Sequence, residues 1–289
     1  MIRRLENCPA PAKLNLFLHV TGRRPDGYHL LQSVFQLIDK ADLLHFATRE
    51  DEQILRSTEV AGVPQESDLI IRAAHLLRDA ARAKGIETPC GATIAVEKRL
   101  PMGGGLGGGS SDAATTLMVL NHLWETGFSQ RELMALGLQL GADVPFFLFG
   151  QNAFAEGVGE DLAAIDTPEC WFLVIEPGVQ VPTMRIFSDP ELTRDTKPVR
   201  ITDFSNASIS NGKNDLQAVA TRLFPPIAHA IAWLGKYGEA RMTGSGACVF
   251  CPFEREEQAD EVLSQIPPSW KAWKARSMRR HPLAHLLAS

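Results

Sequence analysis

Leu14, Leu16, Leu18 and Val20 alternate with Asn15, Phe17 and His19, which is the period of two of a half-buried strand. On that strand Lys13, Asn15 and Phe17 share one face, and Leu14, Leu16 and Leu18 the other. Residues 24–29, RPDGYH, form a turn punctuated by Pro25 and Asp26-Gly27. Strand-like runs follow at 29–38 and 43–48. Leu69, Ala73, Leu76 and Ala80 fall on one stripe and predict a helix over 68–84, stopped by Gly85. Ala92, Ile94 and Val96 mark a further strand that ends at Leu100-Pro101. Ala113, Leu117, Leu120 and Trp124 mark a helix, and a second covers 129–140.

The later half alternates again. Strands are expected at 171–176, 247–252 and 270–275, and helices at 182–187, 214–224, 227–236 and 255–266. Pro225-Pro226 separate two of these helices, a polar loop fills 188–213, and the residues after Ser277 read as a tail. The pattern predicts an α+β protein of two units, 1–160 and 161–289.

Composition narrows the function classes. The chain has 29 Lys+Arg against 34 Asp+Glu, a net charge of −5, with 45% apolar residues. That apolar share excludes global disorder, and the acidic balance argues against a general nucleic-acid binder. No apolar run reaches the length of a membrane helix, and the N-terminus lacks the apolar core of a signal peptide. Five scattered cysteines, an odd number, argue for a reducing compartment and a cytoplasmic protein. Cys248 and Cys251 have CxxC spacing, but in a strand they face opposite sides and no second pair accompanies them, so they are expected in the core. His281 and His285 are four apart without acidic or cysteine neighbours, and they are not expected to bind metal.

Residues 103–109 carry six glycines in seven positions, between a strand and a helix. Such density costs backbone entropy. An anion cradle accounts for it, because glycine lets backbone N–H groups approach phosphate oxygens ahead of a helix N-terminus. The Walker pattern fails, since Ser110 rather than Lys follows Gly109. Gly103, Gly105 and Gly108 match the dinucleotide fingerprint in letters, but Glu125 lies in or after a helix instead of ending a second parallel strand. No HRD or DFG follows, so the protein-kinase loop fails too. Asp143, in Gly141-Ala-Asp-Val-Pro145, reads equally well as a general base in an apolar stretch or as a turn cap. Lys13 alone reads as a solvated strand lysine, and Tyr28 as a turn aromatic packed on the core.

The loop PMGGGLGGGSS at 101–111 resembles the nucleotide loop of the GHMP kinases. PAKLNLFLHVTGRRPDGYH at 11–29, LGADVPFF at 140–147, AEGVGE at 155–160 and MTGSGACVF at 242–250 strengthen the resemblance. They are most similar to the branch whose small-molecule acceptor carries a cytidine diphosphate group. The resemblance implies an N-terminal domain like ribosomal protein S5 domain 2 and a ferredoxin-like C-terminal domain. It implies ATP as co-substrate with Mg²⁺, bound by Pro101, Met102, Gly103, Gly104, Gly105, Leu106, Gly107, Gly108, Gly109, Ser110 and Ser111, with Ser110 or Ser111 helping to hold the metal. Thr243–Gly246 would back this loop against the phosphates. It makes Asp143 the catalytic carboxylate and Lys13 its partner. It assigns Asn15, Tyr28, His29, Thr183 and Phe187 to the acceptor, with the cytosine between Tyr28 and Phe187. Neither nucleic acid nor membrane is expected as a partner, and the chain is a monomer or a homodimer. Two other readings stay open: a family kinase acting on homoserine or mevalonate, and a non-catalytic binding protein on the same fold.

Overall fold

β1 (Arg4–Arg23) and β2 (His29–Arg49) form one long antiparallel hairpin in the computed structural model, which describes residues 2–86, 90–202 and 212–287. The hairpin closes through Arg24, whose N–H donates to Tyr28 O at 2.7 Å. The two strand runs expected at 29–38 and 43–48 are therefore one strand. Between them the ladder steps from Pro11↔Ala41 to Ala12↔Ile38, so Asp39 and Lys40 bulge rather than turn. A second shift, between Asn15↔Phe35 and Leu18↔Ser33, sets Leu16 and Phe17 against Val34.

The expectation of a half-buried β1 is corrected: residues 10–20 are all buried, on both faces. Alternation sorts the side chains correctly but does not say what covers each face. Here α2 (Gly108–Leu123) packs on β1 and shares a core with its Cys8 and Ala10, whereas Ala12, Leu14, Leu16 and Phe17 enter an apolar cluster with Phe172 and Phe250, and Leu18 and Val20 join a further core. Pro9 and Pro11 are tolerated because β1 has only β2 as a ladder partner over that stretch.

β2 is the hub of a ten-stranded sheet. It pairs with β1, with β4 (Gly91–Glu97), with β5 (Ala153–Glu156) and with β10 (Lys271–Met278). β3 (Ile54–Arg56) flanks β4, and β6 (Asp161–Ala164) flanks β5. β10 then carries the sheet to β7 (Trp171–Glu176), β9 (Val249–Phe253) and β8 (Arg241–Met242).

α1 (Leu69–Ala83), α2, α3 (Gln130–Leu138) and α4 (Val144–Phe149) close one core with the first strands. Asp68 caps α1, accepting from Ile70 N at 2.9 Å, and Ser129 with Glu132 forms a capping box on α3. α4 and the short strands β3, β5 and β6 were not expected. Val144–Phe149 is too short and too uniformly apolar to show a period.

α5 (Thr183–Phe187), α6 (Leu216–Leu223), α7 (Pro225–Leu234) and α8 (Glu256–Leu263) accompany the second core. Pro225 and Pro226 start α7 rather than merely ending α6, since their fixed φ suits a first turn. Cys251 faces the second core and Cys248 a third apolar cluster, and all five cysteines are buried and unbridged. Residues 203–211 of the expected polar loop, and 288–289 of the tail, lie outside the described residues. No helix among the described residues is long and apolar enough to cross a membrane.

The segment after β10 is not a free tail. Leu283 and Leu287 are buried in the core of the first unit, across the division expected near residue 160. His281 fixes this return: its N–H donates to Gly150 O at 2.8 Å, and its Nδ1 accepts from Leu283 N at 3.0 Å. Burial lowers the imidazole pKa to about 3. The folded value lies below the unfolded one, about 6.5. The stabilisation is therefore complete above about pH 6.5 and is lost as pH falls from there towards 3. Thermal melting of wild type is expected to weaken more steeply from pH 7 to 5 than that of His281→Asn, whose amide oxygen keeps the Leu283 bond. Parallel pH profiles would show that His281 is not held neutral.

Candidate active site

Lys13 sits in mid-β1 and is 3% exposed. Its Nζ donates to Asn15 Oδ1 at 2.6 Å and lies 3.5 Å from Asp143 Oδ2 and 5.1 Å from the Phe35 ring centre. It is not the solvated strand lysine that its pattern alone suggests. Asp143 occupies the N-cap position of α4, yet its side chain makes no capping bond. Its carboxylate, about one-third exposed, looks into a cleft instead. Asn15 is pinned on all sides: its Nδ2 donates to Ser33 Oγ at 2.8 Å and its N–H to Thr243 Oγ1 at 3.0 Å. A buried ammonium is thus held rigidly beside an uncommitted carboxylate.

The glycine-rich segment is a built loop and not a linker. Lys13 N donates to Leu106 O at 2.9 Å, Ala247 N to Gly103 O at 3.2 Å and Cys248 N to Gly104 O at 3.1 Å. At Gly105 a Cβ would stand 2.2 Å from Thr243 O, and the residue has φ +76°. At Gly107, φ +73°, a Cβ would press on the Phe147 ring at 3.0 Å and on Lys13 Cγ at 3.2 Å. Both positions need glycine for conformation and for closeness. Gly107 leads directly into α2, whose 16 residues aim a helix N-terminus at the loop.

The loop separates two cavities. The larger, about 820 Å³, is lined by Lys13, Asn15, Tyr28, His29, Asp143, Ser110, Thr183 and Phe187, with Ser245 from the Thr243–Gly246 turn. That volume suits a nucleotide-sized ligand. The smaller, about 370 Å³, lies on the loop's other side, between Val60, Leu69, Lys98, Pro101 and Met102. Ser110 lines both cavities. Ser111 lines neither; it is fully buried in α2, with its hydroxyl unpartnered.

At the far end of the large cleft the His29 and Phe187 rings lie 5.0 Å apart at 35°. Tyr28 is 65% exposed there, so it is not packed on the core. Thr183 Oγ1 is 2.8 Å from Ser245 Oγ. His29 Nε2 accepts from Arg194 Nε at 3.1 Å. Burial, then the charges of Arg194 and Arg23, lower the His29 pKa.

Arg194 escaped sequence reasoning because it lies in a polar stretch without periodicity. A second omission is a buried charge cluster behind the loop. Lys98 Nζ bonds Asp42 and, at 2.6 Å, Asp112 Oδ2, while Asp42 Oδ1 also accepts from Leu100 N at 2.8 Å. One ammonium serves two buried carboxylates, and burial pushes Asp112 up to about 7. Three separate elements supply these residues, so no local signal marks them.

Known proteins fall into line with this geometry. The model described as the GHMP kinases N terminal domain matches residues 68–151, and that of the GHMP kinases C terminal matches 195–272. A curated relative from Janthinobacterium sp. (strain Marseille), named 4-diphosphocytidyl-2-C-methyl-D-erythritol kinase, is 72% identical over 285 residues, covering 99% of each chain. The chain belongs to the GHMP kinase family. Its fold is the α+β fold of GHMP kinases, and it is an ATP-dependent small-molecule kinase. A crystal structure of 4-(cytidine 5'-diphospho)-2C-methyl-D-erythritol kinase superposes with a TM-score of 0.78 at 34% identity, covering 96% of this GHMP kinase and 99% of that chain. The Methanococcus jannaschii mevalonate kinase reaches 0.68 at 15% identity over 96% and 99% of the two chains, a likeness of fold.

Proposed function

We propose that this GHMP kinase transfers the γ-phosphoryl group of ATP to the 2-hydroxyl of 4-diphosphocytidyl-2-C-methyl-D-erythritol, in the non-mevalonate route to isoprenoid precursors. One observation carries the reading: a single cleft holds the Lys13–Asp143 pair beside the glycine loop and the Tyr28, His29 and Phe187 rings at its other end. That arrangement suits an acceptor with a hydroxyl at one end and a flat base at the other. The names and identities of the relatives support the same acceptor.

In this reading the loop N–H groups and the start of α2 cradle the triphosphate, and the smaller cavity takes the adenine. Asp143 accepts the hydroxyl proton as the acceptor oxygen bonds to the γ-phosphorus and the bond to ADP breaks. Lys13 holds Asp143 in place and offsets charge on the transferring group. Asn15 and Thr183 orient the acceptor chain between the reacting hydroxyl and the base. Residues 1–160 hold the nucleotide, and the later unit closes the acceptor side through α5 and the Thr243–Gly246 turn.

Magnesium fits if it arrives on the ATP phosphates. Among the described residues no group of three or more His, Cys, Asp or Glu could hold a metal ion, whereas Mg²⁺ commonly needs only one or two protein ligands beside phosphates and water. The cleft-lining Ser110 hydroxyl could supply one such ligand, and Ser111, enclosed in α2, could not. When bound, the ion neutralises charge on the β- and γ-phosphates.

The test is ATP consumption with a panel of acceptors: the cytidylated methylerythritol, homoserine and mevalonate. Turnover is expected with the first alone. Comparable turnover of homoserine or mevalonate would overturn the choice of acceptor.

A further inference from the structure

The contact between Arg194 and His29 has a consequence for base choice. A guanidinium is always protonated and can only donate. Because Arg194 Nε donates to His29 Nε2 at 3.1 Å, that nitrogen must present a lone pair. A neutral imidazole has one N–H, which is therefore on Nδ1. Charging the ring would need a proton on Nε2, which its bond with Arg194 opposes. His29 is thus a fixed donor, and its Nδ1 has no hydrogen-bond partner among the described residues.

The other Arg194 donors are committed to backbone. Nη1 donates to Leu192 O at 3.1 Å, and Nη2 donates to Phe187 O at 3.0 Å and to Asp189 O at 2.7 Å. These bonds tie down the end of α5, which carries the Phe187 ring against His29. One side chain therefore fixes both the tautomer of the ring-edge group and the position of the neighbouring aromatic. It does so without lining the cleft.

We propose that Arg194 is a positioning residue that sets base preference, by locking His29 as an Nδ1–H donor that accepts a cytosine and disfavours a uracil. At the ring nitrogen N3 cytosine offers a lone pair, whereas uracil carries a proton there, and two donors cannot pair. The inference rests on the cytidylated acceptor proposed above and adds the residue that discriminates the base.

The test uses the full chain, wild type and the variants Arg194→Met and Arg194→Lys, with two readouts. Nitrogen-15 NMR of the free protein reports which His29 nitrogen carries the proton. Steady-state kinetics reports kcat/KM for the cytidine acceptor and for its uridine analogue. Wild type is expected to show His29 wholly as the Nδ1–H form. Arg194→Met should give mixed tautomers and lower the cytidine-over-uridine ratio roughly tenfold, the scale of one hydrogen bond. Arg194→Lys, which keeps a cationic donor, should restore the tautomer and part of the ratio. An Nε2–H form in wild type overturns the proposal, and this readout needs no folded Met variant. A tautomer that shifts in Arg194→Met while the ratio stays unchanged overturns it too. Failure of wild type to use the cytidylated acceptor would instead strike the functional reading, and the free-protein tautomer distinguishes the two failures.

Discussion

Asp143→Asn is expected to bind ATP and acceptor almost as wild type does and to lose about 10²–10⁴-fold in kcat, the usual contribution of a positioned general base. The substitution keeps the size of the side chain and its place at the start of α4. Asp143 makes no capping bond that an amide could break, and Asn is as good an N-cap as Asp. The carboxylate is about one-third exposed but its partner Lys13, 3.5 Å away, is buried, so losing the charge also lowers stability, and thermal melting separates that loss from the loss of kcat. The amide cannot accept the hydroxyl proton. Rapid-quench single-turnover kinetics, with binding measured separately by calorimetry, checks the split. A kcat near wild type would make Asp143 a structural residue and would remove the proposed proton acceptor.

Tyr28→Ala is expected to raise KM for the cytidylated acceptor by roughly one to two orders of magnitude. Stacking of a base on an aromatic ring is worth about 1–3 kcal/mol, at about 1.4 kcal/mol per decade. The folded protein should hardly notice the change, because Tyr28 is 65% exposed and sits in a turn; surface substitutions of this kind stay within about 0.5 kcal/mol. The KM for ATP should also hold, since the glycine loop stands between the acceptor end of the cleft and the second cavity. Tyr28→Phe should be nearly silent, as a phenyl face stacks almost as well. Initial-rate kinetics on both variants, varying each substrate in turn, makes the check. An unchanged acceptor KM in Tyr28→Ala would remove Tyr28 from the base site.

Much of the fold was legible where local chemistry decides it. Asp68 and Ser129 announce helix starts that the backbone bonds confirm. Cys248 and Cys251 lie on opposite faces of the sheet because strand geometry leaves no other arrangement. Legibility failed where several elements share a neighbour. The single strand β2 looked like two, because a bulge at Asp39 and Lys40 interrupts its pattern much as a turn would. The residues after Ser277 looked like a tail, because three leucines carry no period; only the core they enter shows why they are apolar.

The candidate site divides in the same way. The sequence by itself determined the glycine loop, since six glycines in seven positions between a strand and a helix have few uses, and the order of residue types around Lys13, Tyr28-His29 and Asp143 carried the family resemblance. It also determined that Tyr28 and His29 adjoin a tight turn. Only the tertiary structure decided that Lys13 is buried and paired, that Asp143 is free of capping, and that Ser110 rather than Ser111 reaches the cleft. It alone brought Arg194 to His29 across 165 residues of chain. The physical reason is common to all of these. Conformational demands such as positive φ, capping and alternation are met by a residue and its near neighbours, so they are written locally. Burial, charge pairing and the tautomer of an imidazole depend on which distant groups the fold places within about 4 Å, and no local pattern records that distance.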